Sequence, residues 1–242
     1  MSITLVLGVL TGLGVISLVT GWFEGGDRLI HRVHDIGTGT YAAVLLAPAY
    51  LLQTRAPDRR IAAFQQTLLG LAAFVAAMVL AGDFAPEVVI SAIVFAVLLG
   101  ALQLLHPATH QLVHPGRISP PSAVIVALAA VPLIAYAVRM AELQREGLAT
   151  DPHIVEHHWT TMAALAVGIL LTGALAALRT RGWRIPAWCA GLAAVLFGLA
   201  SVVYPTYAGS AGSAWGTAAM AGGVAFIAVA EWEARRAPTP ND

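Results

Sequence analysis

Lysine is missing from this chain, and so all 13 basic residues are arginine. Without a lysine no retinal Schiff base can form, which excludes a rhodopsin despite the many apolar segments. Cysteine occurs once, as Cys189 inside an apolar run, so an internal disulfide and a thiolate metal site are both excluded. Charged residues make up only 11% of the chain, less than half the roughly 25% of a soluble domain. There is no phosphate-cradling glycine loop after a strand, no nucleophile elbow and no HExxH helix. No basic patch of sufficient size marks a nucleic-acid partner.

What is abundant is hydrocarbon. The 242 residues are 58% hydrophobic with a mean hydropathy of +0.78. Apolar runs of about 17–25 residues, enough to cross a bilayer, fall at 3–22, 36–53, 61–81, 87–105, 122–139, 160–178, 186–205 and 213–230. The expected fold is therefore all-α: a polytopic membrane protein of eight transmembrane helices. The N-terminus has neither a basic leader region nor a small-residue cleavage site, so the first run reads as a retained helix.

The eight spans also look like a tandem duplication of a four-helix unit. At an offset of 124 residues His34 falls on His158, Arg55 on Arg179, Arg60 on Arg184 and Ile61 on Ile185. The expected units are residues 1–105 and 122–232, joined by a cytoplasmic linker at 106–121 and followed by a tail at 233–242. Such parallel repeats relate through an axis along the membrane normal.

All eight histidines fall in three groups. His31 and His34 stand in Asp27-Arg-Leu-Ile-His-Arg-Val-His-Asp35, just before the second apolar run. His153, His157 and His158 stand in Asp151-Pro-His-Ile-Val-Glu-His-His-Trp159, just before the sixth. The third group, His106, His110 and His114, lies in the linker, and its role stays open. The first two groups open equivalent helices, so the repeat brings them to one level on one face. On a helix His31, His34 and Asp35 share a side, and His153 and His157 do so if that helix starts near residue 153. Imidazoles with flanking carboxylates are the donor set of zinc, copper or iron, and imidazole is also an axial ligand of haem. The candidate metal ligands are His31, His34, Asp35, His153, Glu156, His157 and His158; the candidate haem-binding residues are His31, His34, His157 and His158.

Two families share parts of this pattern. The spacings His106–His110 and His153–His157–His158 resemble the histidine boxes of membrane desaturases, but eight spans put those two groups on opposite faces. The two four-helix units, with Asp27-Arg-Leu-Ile-His-Arg32 opening the second span and a related histidine opening the sixth, resemble haem A synthase. That resemblance implies haem binding. The chain departs from the family in having no partner histidines near Glu87 or Ser213, where spans four and eight begin, and no cysteine pair in an outer loop.

The sequence thus points to an outward-facing histidine and carboxylate site for haem or a transition metal, serving redox or cofactor handling, with membrane oxidoreductase as the enzyme class left open. A proton-coupled transporter using the same residues, or a structural or assembly subunit without a site, are the alternatives. A homo-oligomer or a redox partner would suit the first reading. The location follows from arginine. Nine of the 13 arginines, from Arg55 to Arg236, lie on the side of both termini, against Arg28, Arg32, Arg139 and Arg145 on the other. Positively charged loops stay inside, so both termini should be cytoplasmic in the cell membrane. A reporter fused after Asp242 should be active only in its cytoplasmic form; periplasmic activity would invert the arrangement and every histidine group with it.

Overall fold

The computed structural model describes residues 2–23, 25–55, 57–107 and 116–236, and these are all-helical, with no strand among them. Its helices are α1 (Ser2–Gly12), α2 (Gly14–Phe23), α3 (Arg32–Gly39), α4 (Ala47–Leu52), α5 (Ile61–Ala81), α6 (Pro86–Leu105), α7 (Pro120–Glu146), α8 (Pro152–Val155), α9 (His158–Ala177), α10 (Arg184–Val203) and α11 (Gly212–Arg236). Seven helical stretches are long and apolar enough to cross a membrane, with α1 and α2 together forming the first. Their outward faces are oily: Ile90, Ile93 and Val97 on α6, and Leu128 and Val131 on α7, are exposed. Lipid is the solvent that suits such faces.

The second apolar run of the sequence is helical but broken. Between α3 and α4 the segment Thr40–Leu46 is a π-helix, and the Ala47 N–H reaches back to the carbonyl of Ala42. Pro48 supplies the cause. It has no N–H to give the turn before it, and its ring clashes with the carbonyl of residue 44, so the helix widens ahead of it. A carbonyl loosened in this way is taken up from α5. Gln66 Nε2 donates to Leu45 O at 2.6 Å; in the other direction, the Tyr41 hydroxyl of the widened turn donates to Gly70 O of α5 at 2.6 Å. A polar residue inside an apolar helix is explained by the break it repairs.

Helix α9 is the axis of the molecule: 72% of its most apolar stretch is buried, against 22% for α6. It packs on α3, α5, α7 and α10. Elements end where the chain dictates. Gly82, at φ 63°, closes α5 in the left-handed region that glycine enters freely, and its N–H caps the carbonyls of Met78 and Val79. Pro86 opens α6, and Ser119 caps α7 ahead of Pro120 by accepting from Ser122 N–H. Of the expected linker, residues 108–115 with His110 and His114 lie outside the described residues. Helix α11 runs on through Arg236, so Glu233 of the expected tail is helical and buried, paired with Arg179 at 3.2 Å and accepting from Ser119.

The most extensive helix pairing is α10 with α11. A Cβ on Gly191 would lie 2.9 Å from Gly223 O, and one on Gly223 would lie 2.5 Å from Gly191 O. Gly198 and Gly216 face each other in the same reciprocal way. Small residues let backbones meet where apolar association alone gives little driving force, as in lipid. Helices α5 and α6 touch lightly, and Phe74 and Phe95 line a cavity of about 310 Å³ beside them. Replacing Gly223 by Leu should separate α10 from α11 and cost about 1–3 kcal/mol, seen as a lower thermal midpoint in detergent. A Leu at Gly222, which meets nothing within 4 Å, should leave the midpoint unchanged. Equal effects would mean that the seam does not depend on glycine.

Candidate metal centre

Two short non-apolar segments build the site. The 3-10 turn Gly26–His31 leads into α3, leaving His31 at its N-cap and His34 in its first turn. On the other side Asp151 caps α8 by accepting from His153 N–H at 3.0 Å, with Pro152 at the first helical position. Helix α8 lasts one turn. His157 then adopts φ 55°, and α9 begins at His158. Helices α3 and α9 come together at Gly37, where a Cβ would collide with the Met162 sulfur. That approach sets the two histidine segments against each other.

His31, His34, His153 and His158 are all buried and form one cluster. His31 Nδ1 lies 3.0 Å from His158 Nδ1, a contact that requires at least one of the two rings to present a lone pair. Glu156, exposed at the rim, holds its Oε2 3.4 Å from His158 Nε2. The donor atoms of His31, Glu156 and His158 all lie within 4.8 Å of one another, so the three can hold a metal ion. Two cis imidazole nitrogens on a tetrahedral ion stand about 3.3 Å apart, given metal–nitrogen bonds of about 2.0–2.1 Å. The His31–His158 contact needs only a slight opening to admit one.

The supporting groups orient the rings. His153 Nδ1 is 2.8 Å from Asp151 Oδ1, and its Nε2 is 3.3 Å from Ile30 O. Trp159 packs against His153 and, edge-on, against His34. Gly209, at φ 79°, closes the far side: a Cβ there would sit 2.9 Å from His34 Nε2, and its carbonyl accepts from the Tyr136 hydroxyl. Arg32 leaves the cluster and donates to the Tyr204 hydroxyl at 3.1 Å.

Of the seven residues expected as ligands, five meet here: His31, His34, His153, His158 and, at the rim, Glu156. Asp35 is buried on α3, and its carboxylate is not one of the three converging donors. His157 points elsewhere. It does not share a helix face with His153, because the left-handed turn at His157 separates α8 from α9. The strain of that turn, of order 1–3 kcal/mol for a non-glycine residue, is offset by what it gains. Its Nδ1 lies 3.0 Å from Asp83 and its Nε2 lies 3.2 Å from Glu87, while Thr160 also donates to Asp83. His106 belongs to the opposite end, where it contacts Gln53 at 3.2 Å and packs on Phe64; burial lowers its pKa. Trp159, Gly209 and Tyr136 were not legible as site residues. A clue was present in the glycine- and serine-rich stretch Ala208–Gly212, which a buried loop needs in order to approach closely.

No protein-family model, curated protein or solved structure matches this chain. The site has to be read from its own geometry.

One electrostatic consequence can be measured. Burial pushes the Asp151 carboxyl up, but the hydrogen bonds from the His153 ring and N–H, with the charges of His153 and His31, outweigh it and hold its pKa below the ordinary 3.8. A depressed folded-state pKa stabilises fully above the unfolded value and loses that contribution as pH falls through the folded one. Asp151→Asn keeps the capping geometry but cannot ionise. The stability gap between wild type and this variant should therefore narrow as pH is taken from about 5 to below 3.8. A gap that stays constant in thermal melts over that range would remove the carboxylate charge from the account.

Proposed function

We propose that this is a membrane protein that binds a transition-metal ion at the end of the bundle opposite its termini, on the outer face of the cell membrane, for redox or cofactor handling. The observation that carries it is the convergence of His31, His158 and Glu156 donor atoms from segments 127 residues apart at the closest contact. Imidazole with one carboxylate suits zinc, copper or iron, whereas calcium and magnesium select oxygen donors. The His153–Asp151 pair supplies the carboxylate-to-imidazole hydrogen bond that commonly orients metal-binding histidines. Ring packing favours an ion over haem. A porphyrin held between two axial imidazoles has to separate them, whereas His31 touches His158 and His34 stacks on His158 with centroids 5.1 Å apart and planes 14° from parallel. Bound ion supplies Lewis-acid or electron-transfer chemistry. Exposed Glu156 leaves its side of the centre open to a small exogenous ligand.

Elemental analysis of the purified protein should find about one zinc, copper or iron per chain, in line with a single donor set. Replacing His31 and His158 together by Ala should remove it while the protein still reaches the membrane. His106→Ala, at the other end of the bundle, should keep it. Metal content equal in all three proteins, or absent from all, would return the histidines to a structural role.

A further inference from the structure

His34 is the residue that the three-donor centre leaves unexplained. It is fully buried, and neither of its ring nitrogens has a hydrogen-bond partner. Buried polar atoms without partners are rare, and each calls for an explanation, a bound ion among them. The arrangement of the rings indicates which one applies. Around the cluster, ring centroids are separated by 4.8 Å for His31–His153, 4.7 Å for His153–His34, 5.1 Å for His34–His158 and 4.8 Å for His158–His31; across it, His153–His158 is 6.1 Å.

A metal–nitrogen bond of about 2.0–2.1 Å, plus about 1.1 Å from nitrogen to ring centre, puts each ligating ring about 3.2 Å from its ion. Four such rings have adjacent centres about 4.5 Å apart in a square arrangement and about 5.2 Å apart in a tetrahedral one, with about 6.4 Å across the square. The observed separations fall between these limits on every side, and the measured diagonal lies just inside the square value. We propose that the ion is held by four imidazoles, with His34 and His153 completing the set begun by His31 and His158, and with Glu156 at the open edge. This rests on the metal-binding reading above and extends its donor set to one rich in nitrogen, which suits copper(II) in a tetragonal field or zinc in a tetrahedral one.

The rings reach this state without moving their centres. The ring centroid lies on the extension of the Cβ–Cγ bond, so rotation about that bond swings the nitrogens and leaves the centroid in place. That torsion is broad in histidine.

Copper(II) added to metal-free protein is the probe. Pulsed electron paramagnetic resonance on wild-type protein grown with nitrogen-15 histidine should count four imidazoles around the copper. His34→Ala and, separately, His153→Ala should each lower the count by one. The wild-type count stands even if a variant fails to fold. Copper that binds with two imidazoles, and whose spectrum neither substitution changes, would overturn the four-ring centre while leaving the three-donor site intact. Failure of copper, zinc and iron alike to bind would overturn both.

Discussion

Burying imidazoles at the end of an apolar bundle is the constraint to which the rest of this structure answers. Each ring carries two polar nitrogens into surroundings that offer few partners, and an unmatched buried donor or acceptor costs about 1–3 kcal/mol. The chain meets that demand by bringing the rings to one another and to carboxylates at the rim. Asp151 therefore does two jobs, capping α8 and holding His153, and the left-handed turn at His157 sends a fifth imidazole to Asp83 and Glu87. Helix α9 can be the buried axis because its polar start is absorbed into this network and the rest of it is small and apolar.

The same logic of substitution repairs the backbone. Where Pro48 forces the second run to widen into a π turn, Gln66 supplies a donor to the Leu45 carbonyl, and Tyr41 ties the widened turn to α5 through the Gly70 carbonyl. At the opposite end Glu233 is buried only because Arg179, Ser119 and Ser122 surround its carboxylate. Gln66, Asp83 and Glu233 are each buried beside a partner brought from another segment.

Much of this was legible in the sequence, and the parts that were not have physical reasons. Apolar runs of bilayer length announce helices whatever their packing. Histidines that open two similar segments could be expected to meet, as His31 and His158 do. The sorting of His157 from His158 was not legible, because it depends on Asp83, 74 residues earlier in the chain. The break in the second run was visible only as Pro48, whose effect in a membrane depends on whether a neighbour such as Gln66 is present to relieve it. Gly209 could not be placed, since a loop's approach to a ring is a property of the assembled bundle.

The separation of the two histidine segments along the chain has a consequence for biosynthesis. His31 and His34 emerge from the ribosome well before His153 and His158, whose closest contact with them spans 127 residues. Through most of synthesis the first pair stands in a half-built bundle with nothing to close on. The centre therefore comes into being only when the sixth apolar segment has entered beside the second. A chain truncated or stalled before that point leaves His31 and His34 without the rings that pack on them in the complete bundle.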